Sequence, residues 1–257
     1  MLFAPSPTQA PPGELRERFA AAGQAHVFRF WDALDAAGRA RLAAQAERID
    51  PDALRRAFAQ ATAPSPVHRP VARTEAPEPP EVERHPARGG DPAPFARARE
   101  AGEAWLADGR VAAVVVAGGQ GSRLGLDGPK GALPIGPVSG RSLFALQAQR
   151  LRGLARRLGR PVPWLVMTSD ATDAATRALF AREGHFGLAS EDVRFFRQAS
   201  LPVLDPRGGM LLAAPDRIAE APAGHGGVMP ALVAEGVLAE MEARGVEALF
   251  HYQVDNP

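Results

Sequence analysis

The chain contains no cysteine, which excludes a disulfide framework and thiolate metal sites. Lysine is almost missing: of the 30 basic residues only Lys130 is lysine, and the rest are arginine. Heavy use of Ala, Arg, Pro and Gly points to a GC-rich genome. That bias explains why lysine is rare, but not why the one lysine sits just after a glycine-rich loop. An excess of one charge is missing too, since the formal net charge is +1. No global basic field exists to attract nucleic acid. The longest apolar run, Val111–Ala117, is far too short to span a bilayer. The N-terminus, Met1-Leu-Phe-Ala-Pro-Ser-Pro, lacks the basic and apolar regions of a secretion signal. Together these absences predict a cytoplasmic chain with no membrane and no nucleic-acid partner. What is present is a globular composition, 257 residues with 46% hydrophobic and 23% charged, sufficient for one large domain or a domain plus an accessory piece.

Three regions follow one another. Residues 1–61 read as a small N-terminal helical region of about four short helices: Leu15, Phe19, Val27, Phe28, Phe30, Trp31 and Leu34 recur at three- and four-residue spacing. Asp50-Pro51 is a helix start, with Asp as the cap and Pro in the first turn. Residues 62–94 are dense in proline, which blocks helix and sheet alike, so they read as a linker or extended strap. Residues 95–257 alternate helix and strand. Helices are expected at Phe95–Asp108, Ser142–Leu158, Asp173–Glu183 and Met229–Ala243. Strands are expected at Val111–Val116, Val162–Met167, Val193–Gln198 and Ala248–Val254, with a hairpin at Val203–Leu212. Such alternation implies an α/β fold, a largely parallel sheet with helices on both faces. Ligands in such sheets bind beyond the carboxyl ends of the strands. The chain stops at Asp255-Asn256-Pro257, just where a site should form, so it reads as a fragment of a longer protein.

Gly118, Gly119, Gly121 and Gly125 follow the first buried strand. Glycines there let the backbone turn tightly and bring N–H groups to phosphate oxygens. A P-loop needs Gly-Lys followed by Ser or Thr, whereas Lys130 stands in Gly-Pro-Lys-Gly. A dinucleotide fingerprint needs G-x-G-x-x-G, and Gly119-Gln-Gly121-Ser-Arg-Leu-Gly125 is one residue too long. That reading also predicts an acidic residue about 20 positions on, and Gly136–Phe144 has none. A nucleotidyltransferase loop remains the leading reading. An NAD-binding oxidoreductase and a non-catalytic nucleotide-binding module stay open as alternatives.

Ala117-Gly-Gly-Gln-Gly-Ser-Arg-Leu-Gly125 followed by Pro129-Lys130-Gly131 resembles the signature of the eukaryotic-type UDP-sugar pyrophosphorylases, and most closely their N-acetylglucosamine type. Gly23-Gln-Ala-His-Val-Phe-Arg-Phe-Trp31 resembles that family's N-terminal helical segment. Met167-Thr-Ser169, Phe186-Gly-Leu188, Phe195-Phe-Arg-Gln198, Gly224-His-Gly-Gly227 and Val254-Asp-Asn256 follow in the family's order. The resemblance implies a Rossmann-like nucleotidyltransferase fold and transfer of UMP from UTP to a sugar 1-phosphate. It places Val116, Ala117, Gly118 and Gly119 beside the uracil and ribose, with Gln198 and Gly224 reading the uridine. By the same resemblance Arg123 and Lys130 meet the phosphates, His225 sits at the substrate, and Asp255 binds the nucleotide through magnesium. Two departures stand out. His225 occupies a position that is usually Asn in the N-acetylglucosamine type and His in the glucose type, and Ala223 replaces the usual Asp. The resemblance therefore favours N-acetylglucosamine 1-phosphate, with glucose 1-phosphate as the alternative. The family's sugar-binding loops and a further functional lysine lie past the last strand.

Overall fold

A computed structural model describes residues 12–63, 84–121 and 124–256. Arg123 and most of the proline-rich segment therefore lie outside the described residues. The chain opens with α1 (Pro12–Ala21), α2 (Ala36–Glu47) and α3 (Pro51–Thr62). Next come α4 (Pro92–Ala107), β1 (Val111–Val116), α5 (Leu143–Leu158), β2 (Trp164–Thr168), α6 (Asp173–Arg182) and β3 (Val193–Arg197). Four short strands follow: β4 (Ser200–Pro202), β5 (Leu212–Ala214), β6 (Arg217–Ile218) and β7 (Glu220–Pro222). Last are α7 (Val228–Ala234), α8 (Val237–Ala243) and β8 (Ala248–Gln253). The described residues divide into two compact units. One draws on Met1–Glu78 and Leu201–Ala221, the other on Pro79–Ser200 and Pro222–Pro257.

The larger unit has the expected α/β architecture. Its sheet is parallel, in the order β3-β2-β1-β8. β1 (VAAVVV) is apolar throughout and β2 (WLVMT) up to its terminal Thr168, as suits strands covered on both faces. One face packs Phe144, Leu151, Trp164 and Phe180. The other packs Leu165, Met167 and Phe196 against Leu232 and Met241. Full burial of one such side chain contributes about 1.5–3 kcal/mol. Val116 lies opposite Met167 on one side and Gln253 on the other, and Thr168 lies opposite Arg197. The carboxyl ends of all four strands thus reach the same edge. Ser142 starts α5 by accepting a hydrogen bond from the Ala145 N–H at 3.2 Å. The single helix expected over Met229–Ala243 is instead two, α7 and α8. Gly236 adopts φ +69° between them, a left-handed conformation that ends one helix before the next begins.

In the smaller unit, Phe19, Phe28, Trp31 and Leu42 form a core with Met210 and Ile218. The expected hairpin is present, with Leu204 bridging Met210. Its turn is organised by the Asp205 carboxylate, which accepts from the Arg207 and Gly209 N–H groups. Those bonds hold the Asp205 carboxyl below its usual pKa. Two buried amides dock the segment. Gln24 donates to the Gly208 carbonyl and accepts from the Met210 N–H, both at 2.8 Å. Gln45 donates to the Ile218 carbonyl at 3.0 Å and accepts from its N–H at 2.8 Å. Each glutamine pairs as a neighbouring strand would, satisfying the Gly208 carbonyl, the Met210 N–H and both backbone groups of Ile218.

Candidate functional site

The site is built from the segments that leave the carboxyl ends of β1, β2, β3 and β8. Ala117 is buried, and its N–H continues the sheet by donating to the Met167 carbonyl at 2.9 Å. Gly118 comes next. A Cβ at this position would lie 2.2 Å from Gln198 Nε2 and 3.3 Å from the Ser169 Cβ. Glycine is therefore required by close approach rather than by a turn. The Gly118 carbonyl accepts from Ser169 Oγ at 2.7 Å, and the Gly119 carbonyl accepts from the Lys130 N–H at 3.1 Å. Both carbonyls are thus consumed inside the protein. The N–H groups of Gly118, Gly119 and Gln120 have no acceptor among the described residues. Three successive donors with no acceptor among the described residues make a place for an anion or a carbonyl.

Gln198 ties this loop to the next. Its side chain is 5% exposed, and its Oε1 accepts from the Gly224 N–H at 3.0 Å. Gly224, at φ +69°, opens the tight turn Gly224–Gly227. His225 is exposed on that turn, its ring centroid 6.1 Å from that of His251 on β8.

Lys130 and Asp255 meet each other, Nζ to Oδ2 at 2.9 Å. Lys130 opens a short 3-10 turn, followed by Gly131. A Cβ on Gly131 would lie 2.2 Å from the Phe144 ring, so the buried aromatic fixes where the lysine begins. Asp255 follows β8, whose end is secured twice. Val254 N–H donates to the Val116 carbonyl at 3.1 Å, and the Val254 carbonyl accepts from Gln147 Nε2 at 2.8 Å. The Lys130 ammonium, helped by a backbone N–H and by the charge of His225, holds the Asp255 carboxyl below its ordinary pKa against a desolvation cost.

Of the residues singled out from the sequence, Val116, Ala117, Gly118, Gly119, Gln198 and Gly224 form one connected stretch, and Lys130 and Asp255 are paired. His225 lies on the Gly224 turn, and Arg123 is outside the described residues. Sequence reasoning assigned nothing to Ser169, Thr172 or Gln147, which support the loop and the end of β8 from behind. The recurrence of Met167-Thr-Ser169 was the available signal for the first of these. Among the described residues no cluster of three or more His, Asp or Glu side chains could hold a metal, so no protein-built cage exists. Asp255 offers a half-exposed carboxylate. That fits magnesium, which is commonly bound through one or two carboxylates together with substrate phosphates. A dinucleotide site fits poorly. Gln120 bridges Pro129 and Lys130 opens only a short 3-10 turn, so among the described residues no α-helix starts at this loop to meet a pyrophosphate. A cavity of about 970 Å³ elsewhere in the unit has Trp105, Leu151, Leu154, Phe250 and Tyr252 in its walls. It is mainly apolar and does not contain the glycine loop, Lys130 or Asp255, so the chemistry is not placed there.

A family model described as UTP–glucose-1-phosphate uridylyltransferase matches residues 95–257. The chain is 38% identical over 254 residues to human UDP-N-acetylhexosamine pyrophosphorylase-like protein 1, covering 95% of this chain and 50% of that protein. It is 40% identical over 159 residues to Arabidopsis thaliana UDP-N-acetylglucosamine diphosphorylase 1, covering 58% and 32% respectively. Among solved structures, the uridine diphosphate N-acetylglucosamine pyrophosphorylase of Trypanosoma brucei, crystallised with an inhibitor, superposes with a TM-score of 0.77 at 27% identity. That match covers 98% of this chain and 53% of the other. The chain thus spans about half the length of the human and trypanosomal proteins, and a smaller share of the plant one.

Proposed function

Because the chain belongs to the UTP–glucose-1-phosphate uridylyltransferase family, we propose that it serves the transfer of UMP from UTP to a sugar 1-phosphate, with N-acetylglucosamine 1-phosphate as the sugar. The observation that carries this reading is the grouping of three N–H donors with no acceptor among the described residues, the only lysine and Asp255 at one edge of the sheet. In the reaction a sugar-phosphate oxygen forms a bond to the α-phosphorus of UTP. The bond from that phosphorus to the β-bridging oxygen breaks, and pyrophosphate leaves with the electron pair. The attacking oxygen is already ionised at pH 7, so no general base is needed. What the site must supply is positioning and positive charge.

The amides of Gly118, Gly119 and Gln120 offer donors that need no reorganisation. Lys130 releases Asp255 and neutralises the triphosphate, with Arg123 as a second cation. Gln198 and Gly224 select the uridine, and His225 faces the sugar phosphate. Asp255 would hold magnesium, which when bound shields the phosphate oxygens from one another. Lysine is a compact point charge and arginine a broad planar fork, so even Lys130→Arg should be impaired. Loss of one such contact costs on the order of 10²–10³ in rate.

Relatives named for N-acetylglucosamine or N-acetylhexosamine favour that sugar, whereas His225 favours glucose. Displacement of a fluorescent UTP analogue by UDP-N-acetylglucosamine, UDP-glucose and ADP-glucose separates these readings. The expected order is UDP-N-acetylglucosamine, then UDP-glucose, with ADP-glucose ineffective. Equal displacement by ADP-glucose would remove the uridylyl reading, and UDP-glucose in first place would reassign the sugar.

A further inference from the structure

Behind the Gly118–Gly119 peptide lies a chain of hydroxyl groups. Ser169 and Thr172 are each 1% exposed. Ser169 Oγ lies 2.7 Å from the Gly118 carbonyl and 3.0 Å from Thr172 Oγ1. The Ser169 N–H donates to Thr172 Oγ1 at 3.2 Å, and Thr172 Oγ1 is 3.5 Å from the Gly118 carbonyl. A carbonyl only accepts, so the Ser169 proton points at Gly118. Thr172 then has two acceptors, Ser169 Oγ at 3.0 Å and the Gly118 carbonyl at 3.5 Å, of which Ser169 is the shorter contact. Along the shorter contacts the bonds run from the Ser169 N–H through the Thr172 hydroxyl and the Ser169 hydroxyl to the Gly118 oxygen, and each strengthens the next.

A trans peptide is planar, with its C=O and N–H on opposite sides. Holding the Gly118 oxygen against Ser169 therefore turns the Gly119 N–H the other way, where it has no acceptor among the described residues. Glycine stands on both sides of this peptide, and nothing lies within 4 Å of a Cβ position at Gly119. The backbone itself resists a flip only weakly. A flipped peptide would present a carbonyl oxygen where a donor is needed.

We infer that Ser169, backed by Thr172, is a positioning residue that locks the Gly118–Gly119 peptide with its N–H available to the nucleotide. The ligand half of this inference rests on the uridylyltransferase reading; the lock itself does not. Ser169→Ala removes the hydroxyl, Thr172→Val removes only its support, and Thr172→Ser keeps it. Thr176→Val serves as a control, because the buried Thr176 hydroxyl has no hydrogen-bond partner among the described residues.

Nuclear Overhauser contacts from the Gly118 α-protons to the Gly119 amide, in the ligand-free chain, report the peptide orientation. Titration with UTP and magnesium reports affinity. The expected result is a second peptide orientation in Ser169→Ala and an affinity lower by roughly 5- to 150-fold. A smaller loss is expected in Thr172→Val, with parent behaviour in Thr172→Ser and Thr176→Val. An unchanged peptide orientation in both Ser169→Ala and Thr172→Val overturns the lock. A flip without loss of affinity overturns its role at the site, and so does an equal loss in Thr176→Val. A parent chain that ignores UTP and magnesium defeats the uridylyltransferase reading alone, and the ligand-free orientation still decides the lock.

Discussion

Gly118 shows how much one position can carry. With Gln198 Nε2 2.2 Å from the place of a Cβ, Gly118→Ala must push away the side chain that also holds Gly224. Overpacking of this kind costs about 1–3 kcal/mol. The expected outcome is a lowered melting temperature together with weakened UTP binding; a variant melting and binding like the parent would refute the contact. Asp255 makes a prediction in pH. Its folded pKa is depressed by Lys130, so the pair's contribution is fully present above the unfolded carboxylate pKa, about 3.9. It is lost as pH falls through the lower folded value. Carboxyl carbon shifts of Asp255 should titrate below the ordinary range in the parent and move back towards it in Lys130→Ala. No movement in the variant would mean the pair does not form in solution. The glycines, the lysine and the aspartate were legible in the sequence because each is rare or stands in a local motif. The Ser169 lock was not: the Met167-Thr-Ser169 motif marks the serine, but neither it nor Thr172 shows a role until the fold sets both against the Gly118 carbonyl.

Elements were legible where their signals were local. β1 is a continuous apolar run and α5 has its serine cap, and both were placed closely. The stretch 229–243 misled because its apolar spacing continues past Gly236, whose left-handed backbone appears only in the structure. β8 is testable through its one unusual residue. Tyr252 is the only tyrosine, so tyrosinate absorbance reports it alone. Burial pushes its hydroxyl up to about 12. A raised pKa means the stabilisation is intact below the unfolded value of about 10 and is lost as pH rises towards 12. An absorbance midpoint near 10 in the folded chain would show that β8 does not bury this side chain.

At the scale of the whole molecule, the alternation of helix and strand was enough to read a parallel sheet with covered faces. Sequence periodicity could not tell which core Met210 and Ile218 join, because two short hairpin strands have too few residues to declare a partner. Their docking depends on Gln24 and Gln45, residues that look like ordinary polar positions on a helical segment. Gln45→Ala should expose the Ile218 amide to hydrogen exchange and cost about 1–3 kcal/mol, the range for leaving a buried group unsatisfied. Unchanged protection at Ile218 would disprove the clamp. The central claim is that the glycine loop, Lys130 and Asp255 form a uridine triphosphate site. Its most direct test is calorimetric titration of the chain and of Lys130→Ala with UTP and magnesium, with ATP and NAD as competitors for the interpretation. The account predicts UTP-selective binding that weakens sharply in the variant. Binding of NAD in preference to UTP, or UTP binding indifferent to the loss of Lys130, would contradict it.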